Sequence, residues 1–404
     1  MNVLGWPAVP RLLAAEQPTL DCHHREFGEL PSVGPELISM LDDAGLRGRG
    51  GAGYPTGRKM AAITGRKPVV VGNGTESEPL SRKDVELMTR APHLILDGLI
   101  AAANAISADR VYLCLHVDAM PAVTEALRER RAVGDDPHGI QLVEAATGSV
   151  AGEESAAVRK IEGGPGLPRH RIVRTAVSGV RGRPTLVNNV ETLAHIGLIA
   201  RFGSEWFRSV GERDDPGTML ITVSGAVSRP GVVEVPTGTL LTDILEQAAA
   251  ADPREVQAVL VGGYHGSWLS PGEFTDLRLS RPALKPFGAS PGAGVIHSLN
   301  LTECGLIRTA EITEYLSGQS ANQCGPCSNG LPRLAELVSE LAHGRVNDHL
   351  IEETERLTGL VDGRGACRHP DGTARMVRSA LSVFAGEIER HRRNRCIRSM
   401  LEAD

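Results

Sequence analysis

Aromatic side chains are scarce in this chain, at 3% of 404 residues. Its cores must therefore be assembled from Ala, Val, Leu and Ile, with few large rings to fill space. Also missing is any apolar run near the ~20 residues that a membrane-spanning helix needs. The best stretch, residues 94–106, is interrupted by Asp97 and Asn104, so no direct membrane insertion is expected. Positive charge is not in excess: 43 Lys and Arg face 49 Asp and Glu, for a net charge of −6. That balance argues against nucleic acid as a partner. No basic segment followed by an apolar one opens the chain, so no secretory signal is expected. Seven cysteines in such a length make no disulfide framework. The expectation is a cytoplasmic protein whose clustered cysteines are metal ligands or redox thiols.

What the chain has in quantity is glycine, and the densest run is Leu46-Arg47-Gly48-Arg49-Gly50-Gly51-Ala52-Gly53-Tyr54-Pro55-Thr56-Gly57. Backbone without Cβ atoms can turn through positive φ and approach a ligand closely. Amide N–H groups in such a loop can converge on an anion, and Arg47 and Arg49 can add bidentate phosphate donors. Residues 58–63 read as helical, which would aim a helix N-terminus at the same anion. A flexible surface loop is the plainer alternative. No strand pattern leads into the run, so it is not a dinucleotide fingerprint.

From residue 58 to about 210 the pattern alternates. Strands are predicted over 67–72, 111–117 and 140–145, with helices over 85–90, 95–105, 122–131, 153–161 and 187–202. A parallel sheet covered by helices follows from that order. After Asp214-Asp215-Pro216-Gly217 the composition shifts to a hairpin over 218–224 and 232–235, a helix over 240–250 and a strand over 256–261. Such a unit suggests a small β-grasp domain. Residues 284–294 read as a loop, and the last hundred residues read as helices over 310–317, 331–343, 348–358 and 373–390. Residues 1–45 form a lead-in with one helix expected over 34–44.

Three polar blocks stand out beside the glycine run. Gly74-Thr75-Glu76-Ser77-Glu78-Pro79 ends the first strand, where open α/β sheets bind ligands. Gly152-Glu153-Glu154-Ser155 puts two carboxylates at a helix start, which a favourable first turn alone would explain. Asn188-Asn189-Val190-Glu191-Thr192 opens another helix. One Asn would serve as its cap, and two can donate and accept toward a ribityl chain or heterocycle. Among the cysteines, Cys324-Gly-Pro-Cys327 with a remote Cys367 has metal-ligand spacing. The readings are an iron–sulfur cluster, a zinc site that adds His369, or a disulfide-exchange dithiol. Cys22, Cys114, Cys304 and Cys396 read as ordinary apolar residues.

Taken together and in order, these blocks resemble the NADH-binding flavoprotein subunit of respiratory complex I, the family of its 51 kDa subunit. The flavin subunits of NAD-dependent hydrogenases and formate dehydrogenases are its relatives. The resemblance runs over about residues 40–400, and it also takes in Lys83-Asp84 and Gly182-Arg183-Pro184-Thr185. It implies a Rossmann-like α/β FMN-binding domain over 58–214 behind a lead-in of 1–57. A β-grasp domain of the soluble-ligand-binding type would cover 215–300, and a helical iron–sulfur domain 301–404. It assigns FMN to Gly48, Arg49, Gly50, Lys59, Asn73, Asn188 and Asn189, with Gly152 and Glu153 beside the flavin; Gly53, Glu76 and Thr192 complete the expected cofactor-binding set. NADH would meet Gly51, Tyr54, Glu78 and Glu154, and hydride would pass directly to the flavin with no catalytic acid or base. A [4Fe–4S] cluster is implied on Cys324, Cys327 and Cys367. The family's further cysteine is replaced by Ala321, which leaves the fourth ligand to His369, Cys396, solvent or a partner chain. Arg174 stands where the family carries an aromatic ring, in the run Arg171-Ile172-Val173-Arg174. The implied activity is electron transfer from NAD(P)H through FMN to the cluster. The acceptor would be a partner in trans, namely a thioredoxin-like [2Fe–2S] subunit, a ferredoxin or a membrane-associated reductase. A divergent flavin- or zinc-stabilised assembly module is the alternative.

Overall fold

A computed structural model describes residues 2–3, 10–170, 173–344 and 346–397. Arg171 and Ile172 of the run noted above lie outside the described residues. The chain divides into two compact units. One comprises 1–77, 81–222 and 231–239, and the other 78–80, 223–230 and 240–404.

The first unit is built on four parallel strands: β1 (Val69–Gly74), β2 (Arg110–Leu115), β3 (Gln141–Glu144) and β4 (Thr185–Asn189). Their order in the sheet is β3-β2-β1-β4. The chain thus steps one way from β1 to β2 and β3, then returns to the opposite side of β1 with β4. Between β1 and β4 lies the point where strand order reverses, and the crevice outside strand carboxyl ends at such a point is where ligands bind. Paired there are Gly72 with Asn188 and Asn73 with Asn189.

Helices α1 (Leu20–Phe27), α2 (Glu36–Ala44), α3 (Thr56–Ala61), α4 (Lys83–Arg90), α5 (Pro92–Ala105), α6 (Met120–Ala132), α7 (Glu154–Ile161) and α8 (Val190–Arg208) complete this unit. Its main core is almost wholly aliphatic, from Leu37 and Leu41 through Leu94, Leu99, Leu193 and Ile196, as the shortage of rings requires. The α/β alternation is as expected, with one correction. Residues 187–189, read as the start of a helix, finish strand β4, and the helix begins at Val190. Leu186 and Val187 are fully buried and run into an equally apolar helix. No change of period marks that boundary in the sequence.

The hairpin strands β5 (Thr218–Gly225) and β6 (Gly231–Pro236) are hydrogen-bonded neighbours. Within the second unit, a helical stretch over Leu241–Asp243 continues as a π-turn over Ile244–Ala248. Strand β7 (Val256–Val261) pairs antiparallel with both β8 (Ser267–Leu269) and β9 (Val295–Asn300). Neither of these last two strands was anticipated. Four helices, α9 (Gly305–Gly318), α10 (Leu331–His343), α11 (Asp348–Val361) and α12 (His369–Val383), are followed by α13 (Ala385–Arg392). The single helix expected over 373–390 is therefore two, separated at Phe384. That residue packs edge-on against Trp268.

Candidate functional site

In the first unit the glycine run is a closed loop. Gly48 N–H donates to the Tyr54 carbonyl at 2.9 Å and Thr56 N–H to the Leu46 carbonyl at 2.8 Å. Gly51 and Gly53 take φ values of 105° and 63°, which only glycine adopts without strain. The loop is fixed to the first turn of α8 by Arg49 N–H donating to Thr192 Oγ1 at 2.9 Å. It also sits hard against the paired asparagines. A Cβ on Gly50 would lie 3.0 Å from the Cβ of Asn189, a contact so tight that Asn189 would have to give way.

The strand ends are tied to the same place. Asn73 Nδ2 donates to the Gly152 carbonyl at 2.9 Å, and Asn189 Nδ2 donates to the Asn73 carbonyl and to Asp84 Oδ2. Asn189 Oδ1 accepts the Glu191 N–H and so caps α8, which turns the positive end of a 19-residue helix toward the loop. Lys59 Nζ joins Glu154 in an ion pair and donates to the Val187 carbonyl at 2.5 Å. Glu154 also accepts from Thr175 Oγ1 at 2.9 Å. Lys83, buried, is clamped between Asp84 at 2.6 Å and Glu191 at 2.8 Å. Burial works against its charge, but the two carboxylates outweigh that and hold its pKa above the usual lysine value.

Three buried polar atoms in this neighbourhood have no hydrogen-bond partner among the described residues: Asn188 Nδ2, Arg49 Nε and Thr56 Oγ1. A buried amide donor without a partner costs about 1–3 kcal/mol, so a ligand acceptor opposite it would recover that loss. An orphan donor at a strand-order reversal, beside a glycine loop packed closely on the paired asparagines, suits a bound polar cofactor.

Several expected ligands do something else in this structure. The Arg49 guanidinium is buried, donating to the Pro216 carbonyl at 3.2 Å and lying 3.8 Å from Asp215. It anchors the loop and is not presented as an anion donor; the Arg47 side chain donates to the Gly53 carbonyl. Glu153 is the N-cap of α7, accepting from Ser155 and Ala156 N–H. Glu76, at φ 44°, accepts from the Asp84 and Val85 N–H groups that open α4. Burial, with nearby Asp84, pushes its carboxyl up to about 7. Tyr54 is 52% exposed. Glu78 belongs to the second unit, where it accepts from Tyr264 and Leu80 N–H; burial raises it to about 7.

In the second unit, Cys324, Cys327 and Cys367 converge. Cys324 is next to the π-turn over Pro326–Gly330, and Cys367 lies just before α12. Burial opposes ionisation of Cys324, but the N–H groups of Ala366 and Cys327 and the Cys327 thiol hold it below the ordinary thiol value. Cys327 is pushed up to about 12, by burial first and then by the charges of Cys324 and Cys367. Cys327 thus senses both Cys324 and Cys367, and a bound cation would favour the thiolate forms of all three.

Comparison with known proteins decides the family. Residues 41–198 match the Nuo51 FMN-binding domain, 220–256 the SLBB domain, and 308–391 the NADH-ubiquinone oxidoreductase-F iron-sulfur binding region. The NADH-quinone oxidoreductase F protein of Streptomyces coelicolor is 31% identical over 394 residues, covering 92% of this chain and 88% of that protein. Its Mycobacterium bovis counterpart is 33% identical over 375 residues, covering 88% and 84%. The chain belongs to the NADH-quinone oxidoreductase F family. A crystal structure of an NAD+-reducing [NiFe]-hydrogenase in the H2-reduced state is also similar, with a TM-score of 0.81 and 30% identity. That match covers 88% of this chain and 63% of the hydrogenase chain.

Set beside the four thiolates that a four-iron cluster takes, the cysteine trio lacks a fourth sulfur, and two expected substitutes are engaged elsewhere. His369 Nε2 faces the Leu316 carbonyl at 2.8 Å, and its Nδ1 lies 3.1 Å from His265 Nε2. Cys396 groups with Cys304 and His391. Cys304 lies in an apolar core with Cys396 packed against it, as read from the sequence, and His391 joins them there. Cys304 and His391 are 87 positions apart in sequence, and no local spacing could have signalled their meeting. Of the site residues that motif reading passed over, Thr175 and the Val187 carbonyl carry no sequence signal at all. Lys83-Asp84, by contrast, was part of the resemblance and lies in the first turn of α4.

Proposed function

We propose that this chain is the NADH-oxidising flavoprotein subunit of a larger redox assembly, holding FMN in its first unit and an iron–sulfur cluster in its second. FMN, when bound, supplies the conversion between hydride transfer and single-electron transfer. The chain's own residues supply position. Backbone N–H groups of Gly50–Gly53 and the N-terminus of α8 would hold the phosphate. Asn188 Nδ2 would donate to the flavin's polar edge or chain, with Asn73 and Asn189 beside it. Lys59 and Glu154 border the same space, and Gly51, Tyr54 and Glu154 are assigned to the NADH side. No side chain is given a proton-transfer role. Cys324, Cys327 and Cys367 would ligate the cluster, whose fourth position is filled from outside this trio.

The observation that carries this reading is the Gly50–Asn189 approach next to the unpartnered Asn188 amide. The match of both cofactor regions in order supports it, and the relatives' names give no support to an assembly module. The finer architecture we read as a lead-in over 1–57, a Rossmann-like domain over 58–214, a β-grasp domain over 215–300 and a helical iron–sulfur domain over 301–404. Among the described residues no helix is long and apolar enough to cross a membrane. We place the protein in the cytoplasm and its electron acceptor in trans: a thioredoxin-like [2Fe–2S] subunit, a ferredoxin or a membrane-associated reductase.

Anaerobic purification followed by flavin, iron and sulfide analysis and an NADH titration tests the proposal. Stoichiometric FMN, iron with acid-labile sulfide, and bleaching of the flavin by NADH are the expected results. Bound FMN that neither NADH nor NADPH bleaches contradicts the donor, and zinc without sulfide contradicts the cluster.

A further inference from the structure

We propose that Cys304, His391 and Cys396 form a second metal site, for zinc or a zinc-like divalent ion, distinct from the Cys324–Cys327–Cys367 group. One ligand atom from each of the three lies within 4.8 Å of the other two. A tetrahedral zinc with bonds of about 2.3 Å to sulfur sets its sulfurs ~3.8 Å apart, so small side-chain shifts close the site. Cys304 Sγ and His391 Nε2 are already 3.4 Å apart.

The histidine is oriented as a ligand. Its Nδ1 lies 3.0 Å from the Leu341 carbonyl. A carbonyl can only accept, so Nδ1 carries the proton and Nε2 turns a bare lone pair toward Cys304 Sγ. A ring nitrogen fixed by a carbonyl while the other faces the metal is the usual outer support of a metal-bound histidine.

The backbone holds the site in place. Cys304 is the residue before α9, and His391 lies in the last turn of α13, with Cys396 just beyond it. Glu387, one turn before His391, accepts the Gly305 N–H at 2.8 Å, also accepts from Leu306 N–H, and lies 3.1 Å from Cys304 Sγ. Its other oxygen accepts from Gln257. Glu387 thus pins the Cys304 end of α9 and accepts the Cys304 S–H, a proton that metal binding must release. Cys304 and His391 are 5% and 6% exposed, while Cys396 is half-buried and gives the ion its way in. Two sulfurs and an imidazole select zinc over magnesium or calcium.

The test uses the full chain, purified anaerobically with its flavin and iron. Zinc, iron and sulfide are measured together, and cobalt(II) replaces zinc as an optical probe. One zinc per chain beyond the iron is expected, with a thiolate-to-cobalt charge-transfer band. Cys396→Ser should lower zinc affinity by about tenfold or more and remove the band, while flavin, iron and sulfide stay unchanged. The Cys324→Ser/Cys327→Ser double variant should keep both zinc and band. Because Cys304→Ser could disturb folding at a buried position, His391→Gln provides the second ligand test. Zinc retained by Cys396→Ser overturns the proposal, as does zinc lost only from the double variant. A Cys304–Cys396 disulfide found by mass spectrometry in the anaerobic protein also overturns it.

Discussion

The loop-and-asparagine site of the first unit and the thiol trio of the second are unlike in how complete they are. In the first, nearly every polar side chain has a partner: Asn73 on Gly152, Asn189 on Asp84, Lys59 on Glu154 and Lys83 on two carboxylates. Left over are Asn188 Nδ2 on the strand end and, on the loop, Arg49 Nε and Thr56 Oγ1. In the second, Cys327 is forced up to about 12 by burial and by the charges of Cys324 and Cys367. The difference teaches that one site is shaped by the fold before its cofactor arrives, whereas the other is finished by its metal. Preorganised polar sites lose binding when their shape is altered; metal sites lose stability when a ligand goes.

The sharpest way to break this contrast is Gly50→Val. The branched side chain would drive into Asn189, 3.0 Å from the position of its first carbon. FMN affinity should fall by about 3 kcal/mol, roughly 100-fold, with iron and sulfide unchanged by metal analysis. Cys327→Ser should do the converse: iron and sulfide are lost, the second unit melts earlier in calorimetry, and FMN is retained. Equal loss of both cofactors in either variant would mean that the two sites do not form independently.

A third change separates shape from charge. Asn188→Ala should weaken FMN binding about tenfold, measured by flavin fluorescence. The flavin-free protein should melt no earlier than wild type, because the lost amide has no partner to leave behind. A lower melting temperature would show that the amide is structural.

The smallest effect is one of pH. Burial, with Arg308 adding, pushes His297 down to about 4, below the ~6.5 of an unfolded histidine. As pH falls the unfolded chain takes up the proton first. Stability from this group is therefore fully present above about 6.5 and declines between there and about 4, by up to ~1.4 kcal/mol per pH unit. His297→Gln should flatten that part of the pH–stability curve. The slope will not vanish, since His93, pushed down to about 3, lies in the first unit and contributes in the same direction.

How far the sequence could be read follows the same division. The parallel sheet, its helices and the polar strand ends were legible because periodicity and glycine spacing are local signals. Strand β4 was not, since Leu186 and Val187 are buried and pass into an apolar helix without a break. Arg49 could be named as a loop residue but not seen to turn inward to Asp215, a contact made by distant chain. Glu76 and Glu153 look like ligands as bare letters and are capping groups in the fold. The Cys324–Cys327 spacing announced itself, whereas Cys304, His391 and Cys396 meet only through the packing of helices.

A crystal structure of the full chain with FMN puts the central claim to its most direct test. The phosphate is predicted against the backbone N–H groups of residues 50–53, with Asn188 Nδ2 donating to the flavin. FMN bound elsewhere, or Asn188 Nδ2 still unpartnered beside it, would contradict the account.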